Sequence, residues 1–175
     1  MALIRRRLSA PLREPRSSDY EVVDTDAWLA IADDAALPAG DVIVSLSRFR
    51  AERELLAQRG ARIGVRIPND TAPDVLAELA SSVSLLAIEL PTQRDGRAYT
   101  VARWLRQRFG FRGELRAVGK VVRDQLSYLA RVGFDAFELS RGSAHDALAS
   151  FDELSVHYQA SSDQPLPLWK RAARG

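Results

Sequence analysis

From Val42 to about Tyr158 the sequence alternates short apolar segments with longer amphipathic ones, and this alternation restricts the fold more than any other feature. The short segments have the length and composition of buried strands, and the longer ones repeat apolar residues every three or four positions, as helices do. The predicted strands are 42–46, 63–67, 85–90, 114–118 and 136–139. The predicted helices are 49–59, one with Pro73 in its first turn, one after Gly96, 121–132 and 144–158.

Strands separated by single helices need crossover connections, which make the sheet mainly parallel. A short strand at 20–23 and a helix carrying Trp28, Leu29 and Ile31 precede this pattern, so that about six β/α units fit in the 175 residues. A complete barrel of eight units needs about 250 residues. The sequence therefore predicts an α/β fold, either an incomplete barrel-like ring or an open doubly wound sheet. Both place a ligand at the carboxyl ends of the strands.

Composition divides the chain into three parts. Residues 1–18 are rich in Arg, Pro and Ser and lack periodicity, which is typical of a flexible basic arm. Residues 19–160 carry the alternating pattern and are predicted to form a single α/β domain, because the chain is too short for two domains of ordinary size. Residues 161–175 are predicted to be a loosely ordered tail.

The residue types that are missing exclude several classes of chemistry. The chain has no cysteine, which rules out disulfides, thiolate metal sites and cysteine nucleophiles. Its two histidines, His145 and His157, do not form a metal-binding pattern. The sequence also lacks a dinucleotide fingerprint, a phosphate loop and a serine nucleophile elbow, so neither a cofactor nor a catalytic residue can be assigned. No apolar run approaches the roughly 18 residues of a membrane span, and we expect a cytoplasmic protein.

Positive charge is concentrated in one segment. The net charge is only +2, but residues 94–141 contain eleven basic and five acidic side chains, a local balance of +6. Arginine supplies nearly all of this charge; such a bias often reflects a GC-rich genome, but arginine is also well suited to binding anions. Aromatic residues are not interleaved with the basic ones, so nucleic acid is not an expected partner.

The loop at residues 91–97 links a predicted strand end to a helix start, where free backbone amides favour an anion. Arg97 could add a bidentate contact to sulfate, phosphate or carboxylate. A purely structural interpretation fits equally well. In that case Asp95 caps the helix, Gly96 makes the turn and Arg97 pairs with Asp95 or a neighbour.

The same geometry recurs one unit later, in the loop 119–125. Gly119 would let the backbone approach a ligand, and Lys120 or Arg123 could neutralise it. Asp124 could orient either base or accept a proton, with Gln125 in support. The structural alternative is a surface ion pair between Arg123 and Asp124.

Arg116 lies in the middle of a predicted strand, where a charged side chain needs a partner or a sheet edge. The candidate partners are Glu89, Glu114 and Glu138. A structural ion pair is the favoured interpretation, and anion binding is the alternative.

Four runs in this region closely resemble a family of short bacterial proteins, domain-of-unknown-function family 934. They are Asp95-Gly96-Arg97, the block 113–119, residues 123–126 and residues 133–137, and weaker similarity extends over 42–159. This chain departs from the family pattern at Lys120, where the family usually has an aspartate. It departs again at Pro91-Thr92-Gln93-Arg94, where the family has an aromatic-bearing segment.

Members of that family are often described as oxidoreductases associated with sulfite reduction, and no catalytic residues accompany the description. Given that resemblance, the missing catalytic motifs and the basic central segment favour an accessory protein of assimilatory sulfite reduction that binds sulfite, an anionic cofactor such as siroheme, or sulfite reductase itself. The alternative is a cofactor-dependent oxidoreductase of sulfite or sulfur metabolism, with flavin or nicotinamide as its cofactor. In both cases the candidate anion ligands are Arg97, Arg116, Lys120 and Arg123.

Overall fold

Eight strands form a single sheet in the computed structural model, which describes residues 2–7, 15–153 and 158–172. The strands are β1 (Ala2–Arg6), β2 (Tyr20–Val23), β3 (Leu29–Ala30), β4 (Val42–Ser45), β5 (Ile63–Ile67), β6 (Leu85–Leu90), β7 (Glu114–Val121) and β8 (Ala136–Leu139). Their order across the sheet is β2-β1-β8-β7-β6-β5-β4-β3. The strands β3 to β8 are parallel and adjacent in chain order, and β1 runs antiparallel to both of its neighbours.

Helices connect the parallel strands. They are α1 (Leu46–Ala51), α2 (Arg53–Ala57), α3 (Pro73–Ser82), α4 (Arg97–Gln107), α5 (Leu126–Val132), α6 (Ala144–Leu148) and α7 (Leu168–Ala172). Single turns of 3-10 helix cover Ser17–Asp19, Arg123–Gln125 and Ala149–Phe151. The predicted α/β fold with a mainly parallel sheet is confirmed. Because consecutive parallel strands are neighbours and the order never reverses, the barrel-like alternative applies rather than the doubly wound one.

The sheet is curled into a half-barrel, and chain length shows why it must be. The strands β2 and β3 lie at opposite edges, seven strand spacings apart, which would be about 34 Å in a flat sheet. Only residues 24–28 join them, and the six steps from Val23 to Leu29 reach at most about 22 Å. The short connection therefore requires the two edges to approach each other.

This connection, residues 24–28, crosses the concave face of the sheet. Both β2 and β8 are antiparallel to β1, so β2 ends at the carboxyl edge of the parallel strands while β3 begins at their amino edge. Trp28 is 8% exposed, and it packs into a small cluster with apolar side chains of the concave face: Ile43, Leu85, Ala87 and Val118. The indole thus fills part of what would be the interior of a closed barrel.

The main core lies on the convex face, between the sheet and the helices. Alternate strand residues such as Val65, Leu86, Ile88 and Ala117 pack against the apolar stripes of α3, α4 and α5. The spacing of Val101, Ala102 and Leu105 predicted the stripe of α4, and all three are buried. At the end of the sheet near β1, the Tyr20 ring stacks on Phe151 with 4.1 Å between centroids.

The amino-terminal region differs from the prediction. Residues 2–6, expected to belong to a flexible arm, form β1 between β2 and β8, with Ile4 fully buried. Ile4 lies opposite Val22 and Phe137 in the register of the two flanking strands, so the residue is fixed by pairing on both sides. The helix predicted around Trp28 does not form, and Leu29–Ala30 is instead the edge strand β3.

Differences also occur toward the carboxyl end. The predicted helix 121–132 begins later, because β7 continues to Val121 and a 3-10 turn precedes α5. The predicted helix 144–158 is shorter, with α6 followed by one 3-10 turn, and residues 154–157 lie outside the described part of the chain. The expected loose tail contains a buried Ser161 and an ion pair between Asp163 and Arg131, whose side chains are 7% and 5% exposed.

Replacing Trp28 with alanine should destabilise the protein by about 3–5 kcal/mol, because it empties the concave cluster and removes the contact of Arg62 over the indole. Urea unfolding would measure the change. Trp169, which is 57% exposed, provides the matched control, and W169A should cost less than about 0.5 kcal/mol. Equal losses in the two variants would contradict the role assigned to the connection.

Candidate functional site

The loops that follow the parallel strands, including the two predicted site loops, share one edge of the sheet. They follow β4, β5, β6, β7 and β8, and these strands are parallel, so their carboxyl ends lie side by side. This edge is where α/β folds bind ligands. Three of the loops follow adjacent strands: 91–96 after β6, 122–125 after β7 and 140–143 after β8. The first two contain Asp95, Gly96, Arg123, Asp124 and Gln125 of the predicted site, whereas Arg97 lies in α4 and Arg116, Gly119 and Lys120 lie in β7.

Arg97 is already engaged by two carboxylates. Its Nε and Nη2 donate to Asp95 at 3.0 and 2.7 Å, and its Nη1 donates to Asp70 at 3.2 Å. The hydrogen bonds from Arg97 hold the pKa of Asp95 well below its usual value. Asp95 also accepts the backbone N–H of Arg97 at the first turn of α4. These contacts correspond to the structural interpretation of the loop. The guanidinium of Arg97 is shared between two carboxylates, those of Asp95 and Asp70.

Arg123 is also paired with acidic side chains. Its Nη2 donates to Glu153, its Nε contacts the Asp146 carbonyl at 3.4 Å, and Asp124 lies 3.7 Å from its Nη1. The predicted pairing with Asp124 is therefore present but long. The stronger partner, Glu153, comes from beyond α6 and was not foreseen.

Arg116 does not lie at the loop edge. It is the third residue of β7, and its side chain sits on the concave face, where the residue is 1% exposed. The side chain donates to Asp26 at 2.5 Å, to Glu114 at 2.8 Å and to Glu138 at 3.3 Å. The predicted structural pairing with Glu114 and Glu138 is present, whereas Glu89 pairs with the exposed Arg66 instead.

Asp26 completes this buried ionic cluster from the connection that crosses the concave face. It also accepts from Nη2 of Arg5 at 2.6 Å, which ties β1 to the cluster. Burial would raise the pKa of Asp26, but hydrogen bonds from Arg116 and Arg5 outweigh it and lower the pKa below its usual value. The cluster of Arg5, Asp26, Glu114, Arg116 and Glu138 thus contains three acids and two bases.

Gly119 and Gln125 shape the loop edge. Gly119 has φ +96°, and a β-carbon there would lie 2.7 Å from the carbonyl oxygen of Leu90 on the neighbouring strand. The close approach therefore serves the packing of β7 on β6, at an irregularity of the β7 and β8 pairing. Gln125 donates to the Gln93 carbonyl at 3.1 Å and to the Tyr99 hydroxyl at 3.3 Å, which joins two of the loops.

Three exposed basic side chains at this edge have no acidic partner among the described residues. They are Arg94, Lys120 and Arg141, which we call the basic rim. Lys120 follows Gly119, which is opposite Leu90 at the end of β6, and the backbone N–H of Ser140 donates to the carbonyl of Val121. The rim residues therefore come from the ends of three adjacent strands.

Of the predicted anion ligands, only Lys120 belongs to the basic rim. Sequence analysis counted Arg94 and Arg141 as basic residues but did not assign them to the site. Their positions just after two predicted strands were the available signal. The other three predicted ligands, Arg97, Arg116 and Arg123, are paired with carboxylates, and these partners include side chains up to 90 residues away in the chain.

Other kinds of site have little support in the described part of the chain. It contains no group of three His, Cys, Asp or Glu side chains placed to hold a metal ion. His145 lies in the short helix α6, and His157 is outside the described residues. Within the same part, no helix is long and apolar enough to cross a membrane.

The fold and the edge together define the class of protein: a half-barrel of parallel β/α units with a basic rim at the carboxyl ends of three adjacent strands. A model of the family described as "Bacterial protein of unknown function (DUF934)" matches residues 64–169, which is more than half of the chain. The chain therefore belongs to this family, as the resemblance indicated. No protein with a curated description and no solved structure matches the sequence.

Replacing Arg116 with methionine should cost about 3–5 kcal/mol in urea unfolding, because it removes a buried guanidinium and leaves three partly buried carboxylates without their main partner. Arg66 is the matched control, since it lies on the same face and pairs with Glu89 but is 54% exposed. R66M should cost less than about 1 kcal/mol. A loss for R116M as small as that for R66M would show that the cluster does not stabilise the fold.

Replacing Gly119 with alanine should destabilise the protein by about 2–3 kcal/mol, from backbone strain and from the contact with the Leu90 carbonyl. Gly142 is the control, because it has φ +88° but open space where a β-carbon would stand. The G142A variant carries the strain alone and should lose about 1 kcal/mol. Thermal unfolding compares the two variants. Identical losses of stability would show that the contact with the Leu90 carbonyl adds no cost beyond backbone strain.

Proposed function

We propose that this protein is a non-catalytic accessory protein of assimilatory sulfite reduction, which holds a small anion at its basic rim and acts with sulfite reductase. The link to sulfite rests on the resemblance of the central block to proteins described in those terms. The anion site rests on a separate observation about charge at the loop edge.

That observation is the availability of the three rim cations. Arg94, Lys120 and Arg141 are exposed and form no ion pair with the described residues. Cations without counter-charges raise the local concentration of anions. An oxyanion such as sulfite presents three oxygens, and the two guanidinium groups suit such acceptors better than a point charge does.

Arg97 and Arg123 have a different role in this proposal. An anion that bound them would have to displace Asp95 from one and Glu153 from the other. We therefore assign them to holding the loops in place, with Gln125 linking two of those loops. Lys120 is the residue common to the predicted ligands and the rim.

The accessory role is supported by the acids at this edge. A general acid or base works best when its pKa lies near the working pH. The hydrogen bonds from Arg97 hold the pKa of Asp95 far below neutrality, so that this carboxylate stays ionised and is a weak base. Asp124 is 87% exposed, and among the described residues it has just the long ion-pair contact to Arg123.

Sulfite should raise the thermal unfolding temperature of the wild type more than chloride does at equal ionic strength. K120Q and R141Q should each weaken the binding by about fivefold, because each removes one exposed charge. Arg112 supplies the matched control, since it is exposed and unpaired in the described chain but precedes β7, at the opposite edge. R112Q should bind sulfite like the wild type.

Two results would overturn this function. If sulfite stabilises the double variant K120Q/R141Q as well as the wild type, the rim is not the anion site. If the purified protein carries a flavin and oxidises reduced cofactor when sulfite is added, the oxidoreductase alternative replaces the accessory role. Co-purification with sulfite reductase and an absorbance spectrum without a cofactor band are the expected outcomes.

A further inference from the structure

A second polar site lies at the opposite edge of the sheet, where β7 and β8 begin. It is a cavity of about 310 Å³, within the size range of small-molecule sites. The loops before β7 and β8, the adjoining ends of β1 and β2, and residues 162–163 form its wall. The basic rim is at the carboxyl edge, so the two sites are separate.

The wall contains a buried carboxylate oxygen without a hydrogen-bond donor. Asp163 accepts from Nε of Arg131 at 3.1 Å through Oδ2, and both side chains are more than nine-tenths buried. Its other oxygen, Oδ1, is also buried and has no hydrogen-bond partner in the described structure. Buried polar atoms are nearly always hydrogen-bonded, and this oxygen without a donor belongs to a side chain of the cavity wall.

Most of the remaining wall has a structural task. Arg106 donates to the carbonyls of Phe111, Gly113 and Gly133 and to the Asp135 carboxylate. Its N–H groups are therefore largely used in fixing the two loops before β7 and β8. The rings of Phe111 and Phe134 add an apolar surface.

Two polar groups of the wall remain suited to a ligand. Burial raises the pKa of Tyr20, so its hydroxyl stays a neutral donor, and the charges of Arg6, Asp135 and Asp163 lie near enough to act on it. Arg112 is exposed and forms no ion pair within the described ranges. The cavity thus offers a buried acceptor at Asp163 and an exposed cation at Arg112.

We propose that this cavity binds a small zwitterion of the amino-acid type, with its ammonium group on Asp163 Oδ1 and its carboxylate toward Arg112. The ammonium supplies the donor that the buried oxygen lacks. The carboxylate meets a guanidinium that has no other acid, and the Tyr20 hydroxyl gives it a second donor. Neither a simple amine nor a simple carboxylate satisfies both ends.

This site can be tested by thermal unfolding and calorimetry, with each of the common L-amino acids added on its own. Acetate probes the half of the site near Arg112, and methylammonium probes the half near Asp163. At least one amino acid should stabilise the protein beyond both of these probes, in proportion to its occupancy. R112Q should weaken that binding by about fivefold, and D163N by tenfold or more, about 1.4 kcal/mol or above.

Because Asp163 is part of a buried ion pair, the D163N substitution also affects stability, and the unfolding curve of the variant shows whether it is folded. If D163N does not fold, R112Q tests the proposal instead. K120Q should bind the amino acid normally while binding sulfite about fivefold more weakly, and R112Q should do the reverse. The proposal is overturned if no amino acid stabilises the protein more than acetate and methylammonium do. It is also overturned if R112Q binds the amino acid as tightly as the wild type. Either result leaves the sulfite site at the other edge untouched.

Discussion

The buried contact between Arg116 and Asp26 is the interaction on which the half-barrel depends. A guanidinium enclosed on the concave face is tolerated only with full compensation by charge and hydrogen bonds. Here the compensating carboxylates come from β7, from β8 and from the connection that spans the concave face. Since Asp26 also binds Arg5, the same cluster holds β1. One charge therefore links the amino-terminal strand, the sheet centre and the segment that draws the two edges together.

The curvature separates two environments within a small chain. On the convex side, apolar strand residues meet the stripes of three helices, as expected for β/α units. On the concave side, a small apolar cluster around Trp28 is joined by charged residues that no helix covers. The two edges of the sheet also differ. The carboxyl edge has unpaired cations, and the amino edge has a cavity lined by both signs of charge.

The periodicity of apolar residues was sufficient to predict the strands and helices in the middle of the fold. The strand limits at Ile63–Ile67 and Leu85–Leu90 agree with the prediction, as does a helix that begins right after Gly96. These elements are local, and each displays its own pattern. The strand β1 was not identified because its partner is far away in the chain: Ala2–Arg6 pairs with β8, more than 130 residues later. The strand β3 was not identified because it has only two residues, too few to display a periodic pattern. The pairs with nearby acids, such as Arg97 with Asp95, could be predicted from the sequence. No local pattern places Asp26 against Arg116, or Glu153 against Arg123, so these two partners could not be.

The family match begins at residue 64, inside β5, but the sheet does not. An edge strand of a sheet leaves its backbone groups open to pairing with another chain. In this protein β1 and β2 cover the outer side of β8, and β4 and β3 cover β5. The residues that precede the family match therefore cover both edges of the matched part of the sheet. A fragment cut at the family boundary would present two bare strands and would be prone to stack on its own copies.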